Sequence, residues 1–356
     1  MSPNKTNKIL VKGNHAIVEA ALDAGCRFYA GYPITPQNEI PELMSSRMPE
    51  VGGTFIQAES ELISVNMVFG AAAAGARAMT TSSSPGISLM QEGISYMAGC
   101  ELPAVLVNVM RGGPGLGNIQ PSQSDYFQSV KPGHGDYHMI TFAPSNLQEM
   151  YDFTFDAFDL ADKYRNPVMI LTDGLLGQIM ENVEINRSRK PLYLNTPKPW
   201  ALTGAKGRPG QRILSLLMQP GVLEKHNLKL KAKYDLITKT EKRFELTNME
   251  SNPDYLIVAF GTVGRISKGT INIAKAKGLN VGLFRPITVW PYPYAELKEV
   301  AKKVKKIFVF EMNLGQMVED VKLAVEDSSK IEFYGRSGGG VPTAEELYDF
   351  IKGKVK

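Results

Sequence analysis

The stretch 103–110, Pro-Ala-Val-Leu-Val-Asn-Val-Met, is apolar at nearly every position, as a strand is when both faces of its sheet are covered. It is the clearest of a series. Residues 27–30, 54–57, 77–81, 138–143 and 167–172 read as further short strands, and residues 13–24, 62–76, 83–97 and 147–164 between them read as helices. This alternation predicts an α/β fold built on a doubly wound parallel sheet, with right-handed crossovers. From residue 255 the alternation resumes, with strands at 255–260, 281–284 and 307–310 and helices at 266–277 and 294–304, predicting a second, smaller α/β domain. Between the two, Pro191, Pro197, Pro199 and Pro209 and then a Lys- and Glu-rich run read as an extended strap followed by one charged helix. The expected division is residues 1–190, a strap over 191–252, and residues 253–356.

In an open α/β sheet, the loops after the strands form the ligand crevice. Four such loops carry chemistry here. After 54–57 the sequence 55–61, Phe-Ile-Gln-Ala-Glu-Ser-Glu, places Glu59 where a strand hands over to a helix rich in Ala and Gly. There a carboxylate can face a ligand in a dry pocket, or Glu59 or Glu61 can simply favour the first helical turn through its dipole. After 27–30 comes Gly-Tyr-Pro-Ile-Thr-Pro at 31–36, stiffened by Pro33 and Pro36, which leaves Ile34 and Thr35 little freedom. Thr35 either holds its hydroxyl toward a ligand or caps a helix running from Pro36 to about residue 48. After 77–81 come Ser82, Ser83 and Ser84, hydroxyls suited to an anion, a polar ligand or ordinary capping. After 103–110 comes Arg111, followed by Gly-Gly-Pro-Gly-Leu-Gly at 112–117 and a loop reaching 138, too long for a simple connection. Arg111 can take a carboxylate in its planar fork or form a structural ion pair.

Several function classes are excluded on composition and spacing. The glycine run at 112–117 does not match G-x-G-x-x-G and no Gly-Lys-Ser/Thr closes it, so neither a dinucleotide fingerprint nor a P-loop is present. A nicotinamide dehydrogenase is therefore a poor fit. The formal charge of +4 is spread over 225–242 and 298–306 without interleaved aromatics, which reads as solvated helix faces rather than a nucleic-acid footprint. Two cysteines, Cys26 and Cys100, are too few for an iron-sulfur cluster, so any cluster belongs to another chain. His15, His134, His138 and His226 lack zinc spacing, and no metal site is expected. No run of ~18 apolar residues and no apolar signal-peptide core appear, so the expected location is the cytoplasm.

Six strings together resemble the 2-oxoacid:ferredoxin oxidoreductases: Tyr-Pro-Ile-Thr-Pro at 32–36, Gln-Ala-Glu-Ser-Glu at 57–61, Ser-Ser-Pro-Gly-Ile-Ser-Leu-Met-Gln-Glu at 83–92, Arg-Gly-Gly-Pro-Gly-Leu-Gly at 111–117, Gln-Pro-Ser-Gln-Ser-Asp at 120–125 and Glu-Met-Asn-Leu-Gly-Gln-Met-Val-Glu at 311–319. The likeness covers nearly the full chain. It is to the subunit carrying the pyrimidine-binding domain for thiamine diphosphate and a transketolase-C-like domain, and the 200–234 insert most resembles the branched-chain type. The resemblance implies that Glu59 bonds N1′ of the aminopyrimidine, that Tyr32, Pro33, Ile34, Ser83 and Ser84 line the cofactor, and that Thr35 and Arg111 hold the 2-oxoacid. It implies oxidative decarboxylation of 3-methyl-2-oxobutanoate with CoA, the electrons passing to ferredoxin; 2-oxoglutarate or pyruvate is the alternative substrate. The Gly-Asp-Gly…Asn signature that binds the diphosphate and Mg2+ is missing, Thr172-Asp173-Gly174 being the nearest string. Half an active site is thus expected here. The implied partners are a pyrophosphate-binding subunit, a gamma-type subunit, and a ferredoxin-like subunit or ferredoxin with its iron-sulfur cluster. A non-catalytic scaffold subunit is the reading from another class.

Overall fold

The computed structural model describes residues 7–355. The first half builds β1 (Asn7–Lys12), α1 (Gly13–Asp23), β2 (Phe28–Gly31), α2 (Glu39–Glu50), β3 (Thr54–Gln57), α3 (Glu61–Ala73), β4 (Ala78–Ser82), α4 (Ser84–Gly99), β5 (Ala104–Met110), α5 (Tyr126–Val130), β6 (Ile140–Phe142), α6 (Leu147–Tyr164), β7 (Pro167–Asp173), α7 (Gly174–Gln178) and β8 (Met180–Ile185). The second adds α8 (Val222–Thr240), β9 (Phe244–Thr247), β10 (Tyr255–Val258), α9 (Gly261–Ala276), β11 (Val281–Pro286), β12 (Thr288–Trp290), α10 (Tyr294–Ala301), β13 (Lys306–Glu311), α11 (Met317–Ala324), β14 (Ile331–Gly335) and α12 (Ala344–Lys354).

The main sheet has seven strands in the order β12-β6-β7-β5-β4-β2-β3, all parallel except β12. Every residue of β5 and β7 is buried, with α4 and α6 packed over both strands, which is why these segments are unbroken apolar runs. β3 is the free edge, half open to solvent. The chain turns from β2 outward to β3 and then returns past β2 to β4. The order reverses there, and the crevice at such a reversal is where doubly wound sheets bind ligands. β1 and β8 form a separate antiparallel pair.

At the start of helix α6 Asn146 is the N-cap and accepts the Glu149 N–H at 2.9 Å, while the Glu149 carboxylate takes the Ser145 N–H at 2.8 Å. α2 likewise begins at Glu39 behind Asn38, so Thr35 is not its cap.

The second sheet runs β14-β13-β10-β11-β9. β9 lies inside the stretch read from sequence as strap, and pairs antiparallel with β11. β12, from the far half of the sequence, crosses to the first sheet and pairs with β6. Two buried contacts weld the halves. Arg285, 1% exposed, donates to Glu149 at 2.6 Å and to Glu245 at 2.7 Å. Burying a guanidinium costs several kcal/mol, and two carboxylates around its fork offset this. Asp173 Oδ2 accepts the Thr262 hydroxyl at 2.5 Å. The charged helix α8 buries Leu230, Tyr234 and Ile237 against the core of the first half and turns Lys233 inward, where it donates to the Arg165 oxygen at 3.2 Å, while Lys225, Lys229, Lys231 and Lys239 face outward.

Candidate functional site

The residues singled out from the sequence follow neighbouring strand ends on one edge of the main sheet: Tyr32 to Thr35 after β2, Glu59 after β3, Ser83 and Ser84 after β4, and Arg111 after β5. Arg111 and Thr35 meet directly. Arg111 Nη1 donates to the Thr35 main-chain oxygen at 2.9 Å and Nη2 to the Leu116 oxygen at 3.1 Å. Its Nε is buried with no partner among the described residues, and no carboxylate there lies within ion-pair distance. The structural ion pair left open by the sequence is thus not formed. Held by two neutral carbonyls, the guanidinium keeps its charge available to an anion.

The loop beyond Arg111 closes on itself. Gly112 N–H donates to the Gln120 oxygen at 2.9 Å and Asn118 N–H to the Gly112 oxygen at 3.0 Å. Gly117 sits at φ +56°, and a Cβ there would collide with the Gly112 carbonyl, so glycine alone fits. The carbonyl that holds Arg111 is presented from this loop. Beside Thr35 a groove of about 550 Å3 opens, walled by Pro36, Ile119, Gln120, Gly174 and Gln178. A larger cavity, about 810 Å3, lies under α8 against Tyr137, His138 and Trp290, and shares no wall with these residues. There the His138 ring stacks on Trp290 at 4.6 Å, and burial lowers its pKa.

On the β3 side, Ser60 caps α3, accepting the Ile63 N–H at 3.3 Å, and Glu61 occupies the first turn. Glu61 is the buried carboxylate: it accepts the Ser82 hydroxyl at 3.3 Å and packs against Gly86, where any side chain would strike it. The dipole role is therefore taken by Glu61, and Glu59 is left without a hydrogen bond among the described residues. The dry setting expected for Glu59 is not provided by this chain, in which Glu59 is exposed. The physical reason is its place beyond the edge strand, next to which no further strand lies among the described residues.

The two serines after β4 differ. Ser83, fully buried at the N-cap of α4, makes no capping bond, and its hydroxyl has no partner among the described residues. The Ser84 hydroxyl is committed inside the protein, accepting the Arg111 N–H at 3.0 Å and donating to Asp125 Oδ2 at 2.5 Å. Tyr32 and Pro33 are exposed beside them. The turn that carries them is tied down by fully buried Gln37, whose Nε2 donates to the Tyr32 oxygen at 3.2 Å while its Oε1 accepts the Thr81 hydroxyl at 2.5 Å. Sequence reasoning passed over Gln37, Asn108 and Asp125; only Asp125 lay in a motif, at the end of Gln-Pro-Ser-Gln-Ser-Asp.

Two strings prove to be architectural. Asp173 caps α7, accepting the Leu175 and Leu176 N–H groups, and full burial pushes its carboxyl up to about 6. Glu311 accepts the N–H groups of Met317 and Val318, both at 2.9 Å, and so caps α11.

Comparison with known proteins identifies the family. Residues 19–215 match the family described as pyruvate flavodoxin/ferredoxin oxidoreductase, thiamine diP-binding, and residues 253–347 match pyruvate:ferredoxin oxidoreductase core domain II. The ketoisovalerate oxidoreductase subunit VorB of Methanothermobacter marburgensis is 46% identical over 344 residues, covering 96% of each chain. The 2-oxoglutarate synthase subunit KorA of Methanocaldococcus jannaschii is 37% identical, covering 96% of this chain and 99% of that one. Among solved structures, the 2-oxoglutarate:ferredoxin oxidoreductase from Magnetococcus marinus, with 2-oxoglutarate, coenzyme A and succinyl-CoA bound, superposes with a TM-score of 0.88 at 27% identity. The alignment spans 99% of this chain and 66% of that longer one. The match runs nearly the whole length of this chain in sequence and in fold, and the chain belongs to the 2-oxoacid:ferredoxin oxidoreductases as one subunit of such an enzyme.

Proposed function

We propose that this chain supplies the aminopyrimidine-binding half of the active site in a complex that converts 3-methyl-2-oxobutanoate and CoA to 2-methylpropanoyl-CoA and CO2, passing two electrons to ferredoxin. The observation carrying the substrate assignment is the 46% identity over the whole chain to a ketoisovalerate oxidoreductase subunit, against 37% to a 2-oxoglutarate synthase subunit.

Thiamine diphosphate, when bound, supplies the carbon nucleophile and the electron sink. Two features fit its aminopyrimidine end: the uncommitted carboxylate of Glu59 and the buried, unpartnered hydroxyl of Ser83. Glu59 holds the proton at the ring nitrogen N1′, a positioned acid–base role. Tyr32, Pro33 and Ile34 wall the ring. Ser84 acts behind Arg111 rather than on the ring, since its hydroxyl is already bonded. Arg111 binds the substrate carboxylate with the N–H groups that its two carbonyl bonds leave unused, and Thr35 lies beside it.

We assign the diphosphate and Mg2+ to a pyrophosphate-binding partner, since the Gly-Asp-Gly…Asn signature is missing from this sequence. A gamma-type subunit, and a ferredoxin-like subunit or ferredoxin with an iron-sulfur cluster, complete the assembly. Exposed apolar side chains on the same edge, Tyr32, Leu62, Leu116 and Ile119, support a partner seated there, which would shield Glu59 from water.

The test is the purified complex with a panel of 2-oxoacids, followed by dye reduction. Highest kcat/KM for 3-methyl-2-oxobutanoate is expected. Highest kcat/KM for 2-oxoglutarate or pyruvate would overturn the substrate, and activity unchanged in Glu59→Gln would leave only a scaffold role.

A further inference from the structure

Among the described residues, the second half of the chain places no side chain on the strand-end site, yet it reaches that site through the segment 122–127 and through the Gly338 oxygen, which accepts Asn118 Nδ2 at 2.9 Å. Gln123 is fully buried and turns all its polar groups to the second half: its N–H donates to the Met312 oxygen at 3.0 Å, its Oε1 accepts the Met312 N–H at 3.0 Å, its Nε2 donates to the Phe260 oxygen at 2.8 Å, and its carbonyl accepts Asn313 Nδ2 at 2.8 Å. The Gln316 amide adds bonds to the Ser124 oxygen at 2.7 Å and the Phe127 N–H at 2.9 Å. Two residues past this anchor, Asp125 turns the other way. Its Oδ2 accepts the Ser84 hydroxyl at 2.5 Å and Asn108 Nδ2 at 3.0 Å. Ser84 in turn accepts the Arg111 N–H, and its own N–H is held by Asn108 Oδ1 at 3.2 Å.

The Ser84 hydroxyl thus stands between the Arg111 main chain, whose N–H it accepts and whose oxygen lies 3.2 Å away, and the Asp125 carboxylate, to which it donates at 2.5 Å. Burial of this kind fixes geometry because each group would be costly to leave unpaired. The carboxylate faces two neutral donors, with the Arg111 charge nearby and no ion pair of its own.

We propose that Asp125 is a positioning residue for the reaction: anchored on the second half of the chain by Gln123, it sets Arg111 for the 2-oxoacid carboxylate through Ser84. This rests on the reading of Arg111 as the carboxylate binder. It gives the second half a part in catalysis without contact with substrate.

The test uses the assembled complex and compares Asp125→Asn, Ser84→Ala and Gln123→Ala, alone and with Arg111→Lys. Each single variant is expected to raise KM for the 2-oxoacid by roughly tenfold, the scale of one good hydrogen bond, with kcat and the KM for CoA within about twofold. In the Arg111→Lys background each is expected to add less than about twofold, because both changes act through one group. Ser84→Ala breaks the same relay by loss of one atom, so it stands in if Asp125→Asn fails to assemble. Equal effects in both backgrounds, or KM unchanged in Asp125→Asn or Ser84→Ala while Arg111→Lys raises it, would overturn the relay. KM unchanged in Gln123→Ala would remove the second half from it. KM unchanged in Arg111→Lys itself would overturn the carboxylate-binding reading and this inference together.

Discussion

Arg111 Nη1 and the main-chain oxygen of Thr35 stand 2.9 Å apart, joining the loop after β5 to the loop after β2 across the intervening β4. One planar side chain holds two carbonyls and still keeps Nε free. A lysine, with one compact ammonium, cannot span both carbonyls and a carboxylate. Arg111→Lys is therefore expected to raise the KM for the 2-oxoacid by roughly 10- to 100-fold, or about 1.4–2.7 kcal/mol, read from steady-state kinetics of the complex.

Glu59 is exposed and has no hydrogen bond to lose, so Glu59→Gln should leave the Tm of this chain within about 1 °C of the wild type. The amide cannot exchange a proton with the cofactor ring. A loss in kcat of roughly 10²- to 10⁴-fold is expected, the range for a positioned acid–base group. Retained assembly, checked by gel filtration of the complex, separates this outcome from misfolding.

Arg285 is the clearest stability determinant between the two halves. Arg285→Ala strands Glu149 without a cation and leaves Glu245 only its Lys268 partner. A destabilisation of about 3–5 kcal/mol is expected, measured as a lower midpoint in urea. Because Glu149 also holds the start of α6, hydrogen exchange should rise there first.

Asp173 sets a pH dependence. Its folded pKa, about 6, lies above the ordinary aspartate value of 3.8, so the folded chain binds the proton more tightly than the unfolded one. The stabilisation from that proton is complete below about 4 and is lost as pH rises through about 6. Asp173→Asn removes this dependence and keeps an oxygen for the Leu175 and Leu176 N–H groups. The Tm of the variant relative to wild type is expected to increase between pH 4 and pH 7; a constant or falling difference would contradict the assignment.

What the sequence revealed and what it hid divide along physical lines. β5 and β7 were legible because a strand covered on both faces must be apolar throughout. β9 and β12 were not: one is four residues with alternating burial, and the other is three residues bounded by prolines that pair with a strand more than a hundred positions away. At the site, the strand-end loops announced Thr35, Glu59, Ser83 and Arg111 by residue type and place. The choice between Glu59 and Glu61 was open, because either suits a helix start; the packing of Gly86 and Ser82 against Glu61 resolved which carboxylate points inward. Asp125 stayed hidden because its partner Ser84 is 41 positions away and neither carries a signal of the other. The openness of Glu59 could not be read at all, since exposure depends on which strand ends up outermost.

The crossing of β12 onto β6 has a further cost for anyone dividing the protein. A fragment cut after residue 252 would strip β6 of its outer neighbour and bare a row of main-chain donors and acceptors, a template for sticking to other chains. The two halves are laced like fingers, and neither is a separable module.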